Sequence, residues 1–166
     1  MRVYLPATLA MLKRLDETGE FLPVGGTAFA LTPALRESYT SGDDEELSEA
    51  AMREAARASL RLLGDETDDG ESLPPRRVVV AADVDATLRP DLDAAVVKVG
   101  GPIPRRAIAS VHVDGAGAEP AVRAAIEAVD AADLGDLDAE LAIGDVEDFD
   151  LAWYATQEVP FLLELL

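Results

Sequence analysis

The chain has 166 residues with 14 Lys+Arg against 33 Asp+Glu, a formal charge of −19 and a pI near 4.2. So large an acidic excess repels phosphate backbones and anionic lipid, and the expectation is no nucleic-acid partner and no membrane partner. Without cysteine there is no disulfide framework, thiolate nucleophile or Cys-ligated zinc. At 49% hydrophobic and 28% charged residues, the composition is that of a folded chain and not of an acidic tail.

The length predicts one globular domain over residues 1–166. The opening run MRVYLPATLAML is interrupted by Pro6 and closed by Lys13 and Arg14, with no small-residue cleavage site behind it. No apolar stretch reaches the roughly 18 residues that a spanning helix needs, so a cytoplasmic location is expected. Lys13 and Lys98 are the two lysines and the other twelve basic residues are arginines. That usage fits a GC-rich genome or a high-salt cytoplasm.

In chain order, residues 2–5 read as a first strand. Thr8 is placed to cap a helix over 9–18, with Leu9, Leu12 and Leu15 inward and Gly19 past its end. Gly25-Gly26 turns the chain into a strand over Thr27–Leu31, and Thr32-Pro33 is an N-cap followed by proline at the first helical position. The strongest periodicity covers 44–63. Asp43 or Ser41 caps that helix, Leu47, Ala51, Ala55, Ala58 and Leu62 form its apolar stripe, and Gly64 is expected to end it. Arg53, Arg57 and Arg61 form a basic row, which Glu49 and Glu54 are expected to neutralise within the same helix.

Residues 64–75 read as an acidic surface loop. Val78–Ala82 is uniformly apolar, the mark of a central strand covered on both faces. Weaker strands are expected at Ala94–Val99, Ile108–Val113 and Leu151–Ala155. A helix opens at Pro120 and runs to about Val129, and a short apolar helix or turn lies over Glu158–Leu166. The stretch 130–150 reads as acidic, without an assigned element. The expected class is α/β or two-layer α+β, with helices packed on a mixed sheet of about five to six strands.

Candidate chemistry sits where strands end. If the strands ran parallel, Thr8, Thr32, Asp83 and Asp114 would converge on one sheet edge. Asp83-Val84-Asp85 after an apolar strand resembles the first motif of haloacid-dehalogenase-type phosphatases. Gly144-Asp145 with Asp150, after Leu141-Ala142-Ile143, is similar to that superfamily's magnesium motif. This resemblance implies a magnesium-dependent phosphohydrolase with Asp83 as nucleophile, Asp85 handling protons and Asp145 on the metal. Against it, Ala86 stands where glycine is common, Lys98 falls out of motif order, and Asp-x-Asp is cheap in so acidic a chain.

His112, the single histidine, shares a strand face with Ser110 and Asp114, a pattern open to metal binding or to a base with its orienting carboxylate. The roughly 6–7 Å along the strand between positions 110 and 112 argues against direct proton transfer. Trp153 and Tyr154 point to opposite strand faces, one of them toward solvent.

The segments RVYLPATL, TAFALTPALRESY, ARASLRLL, RRVVVAADV, IASVHVD and LAWYATQEVP together resemble a family of small uncharacterised actinobacterial proteins. That resemblance spans nearly the whole chain and implies no activity, substrate or cofactor. The leading expectation is a domain that binds a small ligand or another protein without catalysis, leaning away from an enzyme. No cofactor is expected unless the phosphohydrolase alternative holds, which would bring magnesium. A third reading is an acidic interaction protein or nucleic-acid mimic. A homodimer is compatible with the sequence.

Overall fold

The computed structural model describes residues 1–66 and 73–166, so most of the acidic loop expected over 64–75 lies outside the described residues. The described elements are β1 (Arg2–Ala7), α1 (Leu9–Thr18), β2 (Glu20–Phe21), β3 (Thr27–Phe29), α2 (Pro33–Glu37), α3 (Asp44–Asp65), β4 (Val78–Asp83), β5 (Thr87–Leu88), β6 (Val96–Lys98), β7 (Ile103–Pro104), β8 (Ile108–Val113), α4 (Glu119–Asp133), α5 (Leu137–Glu147), β9 (Ala152–Tyr154) and α6 (Val159–Glu164). The sheet runs β5-β6-β3-β1-β4-β8-β9, with β2 and β7 paired separately. Helices packed on a sheet is the class expected, but the sheet has seven strands and every pairing is antiparallel.

Side-chain caps at the helix starts set the chain's course. The Thr8 hydroxyl accepts from the Met11 amide, and Gly19 closes α1 in the left-handed region at φ 78°. Thr32 accepts from the Leu35 amide and precedes Pro33, which starts α2. Asp43, not Ser41, caps α3 through the Glu46 amide. Gly64 does not end that helix, which continues to Asp65. Gly26 (φ +70°) lies where a Cβ would stand 2.6 Å from the Val99 carbonyl oxygen, so only glycine lets this turn close onto the residue that follows β6.

β4 lies between β1 and β8, and Val78 to Ala82 are all buried. On one side Val78, Val80 and Ala82 pack with Val3 and Leu5 of β1 against α1 and α6. On the other, Val79 meets Ala51, Ala55 and Ala56 of α3, with Leu35 of α2 beside them. The alanines let α3 lie close on the sheet. The outer helical layer follows from Leu60 of α3, which joins Val122, Ala125 and Val129 of α4 and Ile143 and Val146 of α5. The region 130–150 thus contains a full helix, which the sequence reading left unassigned.

Ser59, fully buried on α3, seals the sheet end where β1 and β4 part. Its hydroxyl donates to the Ala7 carbonyl at 2.7 Å and accepts from the Val78 amide at 3.1 Å, and Ala7 and Val78 are the terminal pair of that ladder. Ser59→Ala removes one hydroxyl and strands two buried backbone groups, which should cost about 2–4 kcal/mol. Urea unfolding of the variant checks this, with an unchanged midpoint counting against the clamp.

Candidate functional site

Antiparallel pairing splits the four strand-end residues between two edges of the sheet. Ala7, Val78 and Val113 lie in register, so Thr8 and Asp114 share one edge. Arg2 pairs with Asp83 at the other, toward which β3 also runs before Thr32. The convergence that parallel strands would have produced does not occur. Thr8 and Thr32 are both buried and spend their hydroxyls on caps, and Thr32 also donates to the Ala94 carbonyl.

The acidic candidates are likewise separate. Asp83 is exposed and bound by Arg2 through two hydrogen bonds of 2.8 and 3.1 Å; that guanidinium holds its carboxyl below the usual range. Asp85 is exposed. Asp145 lies within α5, because Leu141-Ala142-Ile143 is helical and not the strand that the phosphatase resemblance requires. The α5 terminus is tied to the Val78 end of β4 through Arg77, whereas Asp83 lies five residues further along that strand, roughly 17 Å away. Among the described residues no three His, Asp or Glu side chains form a group able to hold a metal ion.

Asp114 has a different role. Both of its carboxylate oxygens accept from the Arg77 guanidinium at 2.8 Å, and one also accepts from the Arg77 amide at 2.9 Å. The two residues are 1% and 4% exposed. The same guanidinium donates to the Phe149 carbonyl at 2.8 Å. One buried ion pair therefore joins the start of β4, the end of β8 and the turn after α5. Its sequence signal is an arginine just before the apolar run Val78–Ala82 and an aspartate just after the neighbouring strand; Asp114 stands out at a strand end, whereas Arg77 belongs to no motif.

The basic row on α3 serves the same architecture. Arg57 binds Asp133 and Glu140, and Arg61 binds Asp133. The expected neutralisation by Glu49 and Glu54 within the helix is replaced by ion pairs to α4 and α5. Asp133 is held below the usual carboxylate range, chiefly by Arg61. Glu54 is pushed up, first by burial and then by Asp93. Among the described residues the Arg53 side chain has no hydrogen-bond or ion-pair partner, and it faces a cleft.

That cleft, about 490 Å³, opens between α3, the end of α5 with the turn that follows it, and His112 of β8. Ala56, Leu60, Ile143 and Val146 form its apolar floor, with Arg77 and His112 among them. Glu49, Arg53, Glu147 and Asp150 stand exposed at its rim. Ser110 and His112 are closer than their strand spacing implied, because their side chains lean together and bring Oγ to 3.0 Å from Nε2. Ser110 is buried and Asp114 is committed to Arg77, so the pair lacks an orienting carboxylate there. Trp153 pairs across strands with His112 and is 61% exposed, while Tyr154 packs half-buried on the opposite face.

Burial, and secondarily the positive charge of Arg2, holds the His112 imidazole below its ordinary value. The folded state then binds this proton less readily than the unfolded chain. The stability contributed by neutral His112 is present above the ordinary imidazole value of about 6.5 and is lost as pH falls below it. Melting curves on acidification should show a steeper loss for the native chain than for His112→Gln; equal slopes would contradict it.

Breaking the buried pair with Arg77→Met should cost about 3–5 kcal/mol, because Asp114 is left charged in a dry site. Adding Asp114→Leu should recover much of that loss in chemical unfolding. A double variant as unstable as the sum of the two singles would show that the pair is not coupled.

Among the described residues no helix is long and apolar enough to cross a membrane. No curated protein and no solved structure matches the chain. A family profile, however, matches residues 1–163, nearly the whole fold described above, and the chain belongs to that family, a family of unknown function (DUF6912).

Proposed function

We propose that the domain binds a small amphipathic amine in the cleft between α3, α5 and β8, without catalysis. The observation that carries this reading is the cleft itself. It has the size of small-molecule sites, an apolar floor and a few convergent polar groups. Its inner arginines are already neutralised, Arg57 by Asp133 and Glu140 and Arg77 by Asp114. At the rim, three carboxylates from Glu49, Glu147 and Asp150 outnumber the one cation of Arg53. An ammonium group is therefore favoured at the mouth, and the charge of −19 raises the local concentration of cations. Neutral His112 adds a hydrogen-bonding group without repelling the ligand, and exposed Trp153 beside it offers a face for a cation or a planar ring.

Trp153, the single tryptophan, is also the reporter. Phenylalkylamines should quench or shift its emission saturably, and the matching alcohols should not. Glu147→Gln with Asp150→Asn should weaken the amines' binding by about tenfold, the worth of roughly 1.4 kcal/mol. A panel in which alcohols and amines behave alike, or a double variant that binds as tightly as the native chain, would overturn the reading.

A further inference from the structure

The inner face of α5 is accounted for, with Ile143 and Val146 buried against α3 and α4. Its outer face is not. At 100° per residue, Leu137 and Leu141 lie almost opposite that buried pair, and they are 81% and 69% exposed. Leu134, in the turn before the helix, is 90% exposed. Gly144 and Asp148 extend the same line, so a partner backbone can come close at the glycine, where an added Cβ would meet nothing within 4 Å. Asp138 and Asp145 border the line on one side; on the other, Glu140 is paired with Arg57 and Glu147 stands at the cleft rim.

A helix apolar on two opposite faces is one that is covered on both. The acidic border of Asp138 and Asp145 decides what covers the second. Another copy of this chain would bring an identical acidic margin and a further −19 charge against the first, and like charges across an interface oppose association. A helix with an apolar stripe between lysines and arginines meets leucine with apolar surface and carboxylate with cation.

We propose that the outer face of α5, along Leu134, Leu137 and Leu141, docks a basic amphipathic helix of a partner protein. This site is separate from the amine cleft, which lies on the other side of the helix, and its test reads protein–peptide binding and not Trp153.

The test uses the full chain and two synthetic helical peptides, one with a leucine stripe flanked by lysine and arginine, the other with glutamate in place of every cation. Fluorescence anisotropy should show saturable binding of the basic peptide and none of the acidic one. Leu137→Ser with Leu141→Ser leaves the charge unchanged and should weaken binding by about tenfold or more. Leu165→Ser, at a leucine 85% exposed elsewhere, should leave it unaltered. If the leucine pair cannot be replaced without loss of the circular dichroism signal, Asp138→Lys with Asp145→Lys tests the acidic border instead: binding of the basic peptide should weaken by about tenfold or more, and unchanged binding would overturn the proposal. Equal binding by the native chain and by Leu137→Ser with Leu141→Ser would show attraction by charge alone and overturn the proposal. So would equal weakening by Leu165→Ser, or a native dimer in sedimentation that Leu137→Ser with Leu141→Ser converts to monomer.

Discussion

The buried ion pair of Arg77 and Asp114 governs the arrangement of this chain. A carboxylate and a guanidinium removed from water are tolerated only when nearly every donor and acceptor is used. Here the pair is bidentate, the Arg77 amide adds a further bond, and the remaining guanidinium reach goes to the Phe149 carbonyl. That last bond matters most for shape. It fixes where the chain leaves α5 and returns to the sheet as β9, and so holds the outer helical layer at a set distance from the β8 face.

The cleft follows from that spacing. α3, with its alanines, covers the central strands closely, whereas α5 packs on α3 and α4 and leaves a cleft open beside His112 of β8. The charges are sorted accordingly. Arginines inside the structure are matched to Asp114, Asp133 and Glu140, so the surplus acidity falls on surfaces, including the cleft rim and the Asp138–Asp145 border of the α5 stripe. The net charge is therefore an outcome of internal pairing as well as of composition.

Local chemistry made much of the fold legible. Thr8, Thr32-Pro33 and Asp43 act as caps because their side-chain oxygens suit helix starts, and the unbroken apolar run at Val78–Ala82 could only be a central strand. What remained hidden depends on partners distant in sequence. Strand direction has no local signature, so Thr8 and Asp83 looked like neighbours and lie on opposite edges. α5 escaped detection because its apolar residues occupy two faces, which blurs the single stripe that periodicity detects. Arg57 and Arg61 had acidic neighbours one turn away and chose carboxylates more than 70 residues on. The site was legible only in fragments. His112 and Trp153 stood out by rarity, whereas Arg77 looked like an ordinary residue flanking a strand.

The most direct measurement is amide hydrogen exchange by mass spectrometry on the native chain and on Arg77→Lys. Lysine keeps the charge but lacks the fork that reaches Asp114 and the Phe149 carbonyl together. If Arg77 sets the position of α5, exchange in the variant should accelerate in the segment from the end of α5 through β9 and at the end of β8. β1, β3 and α1 should remain protected. Acceleration spread evenly over the chain, or none in the α5–β9 segment, would contradict the anchoring role from which the cleft is derived.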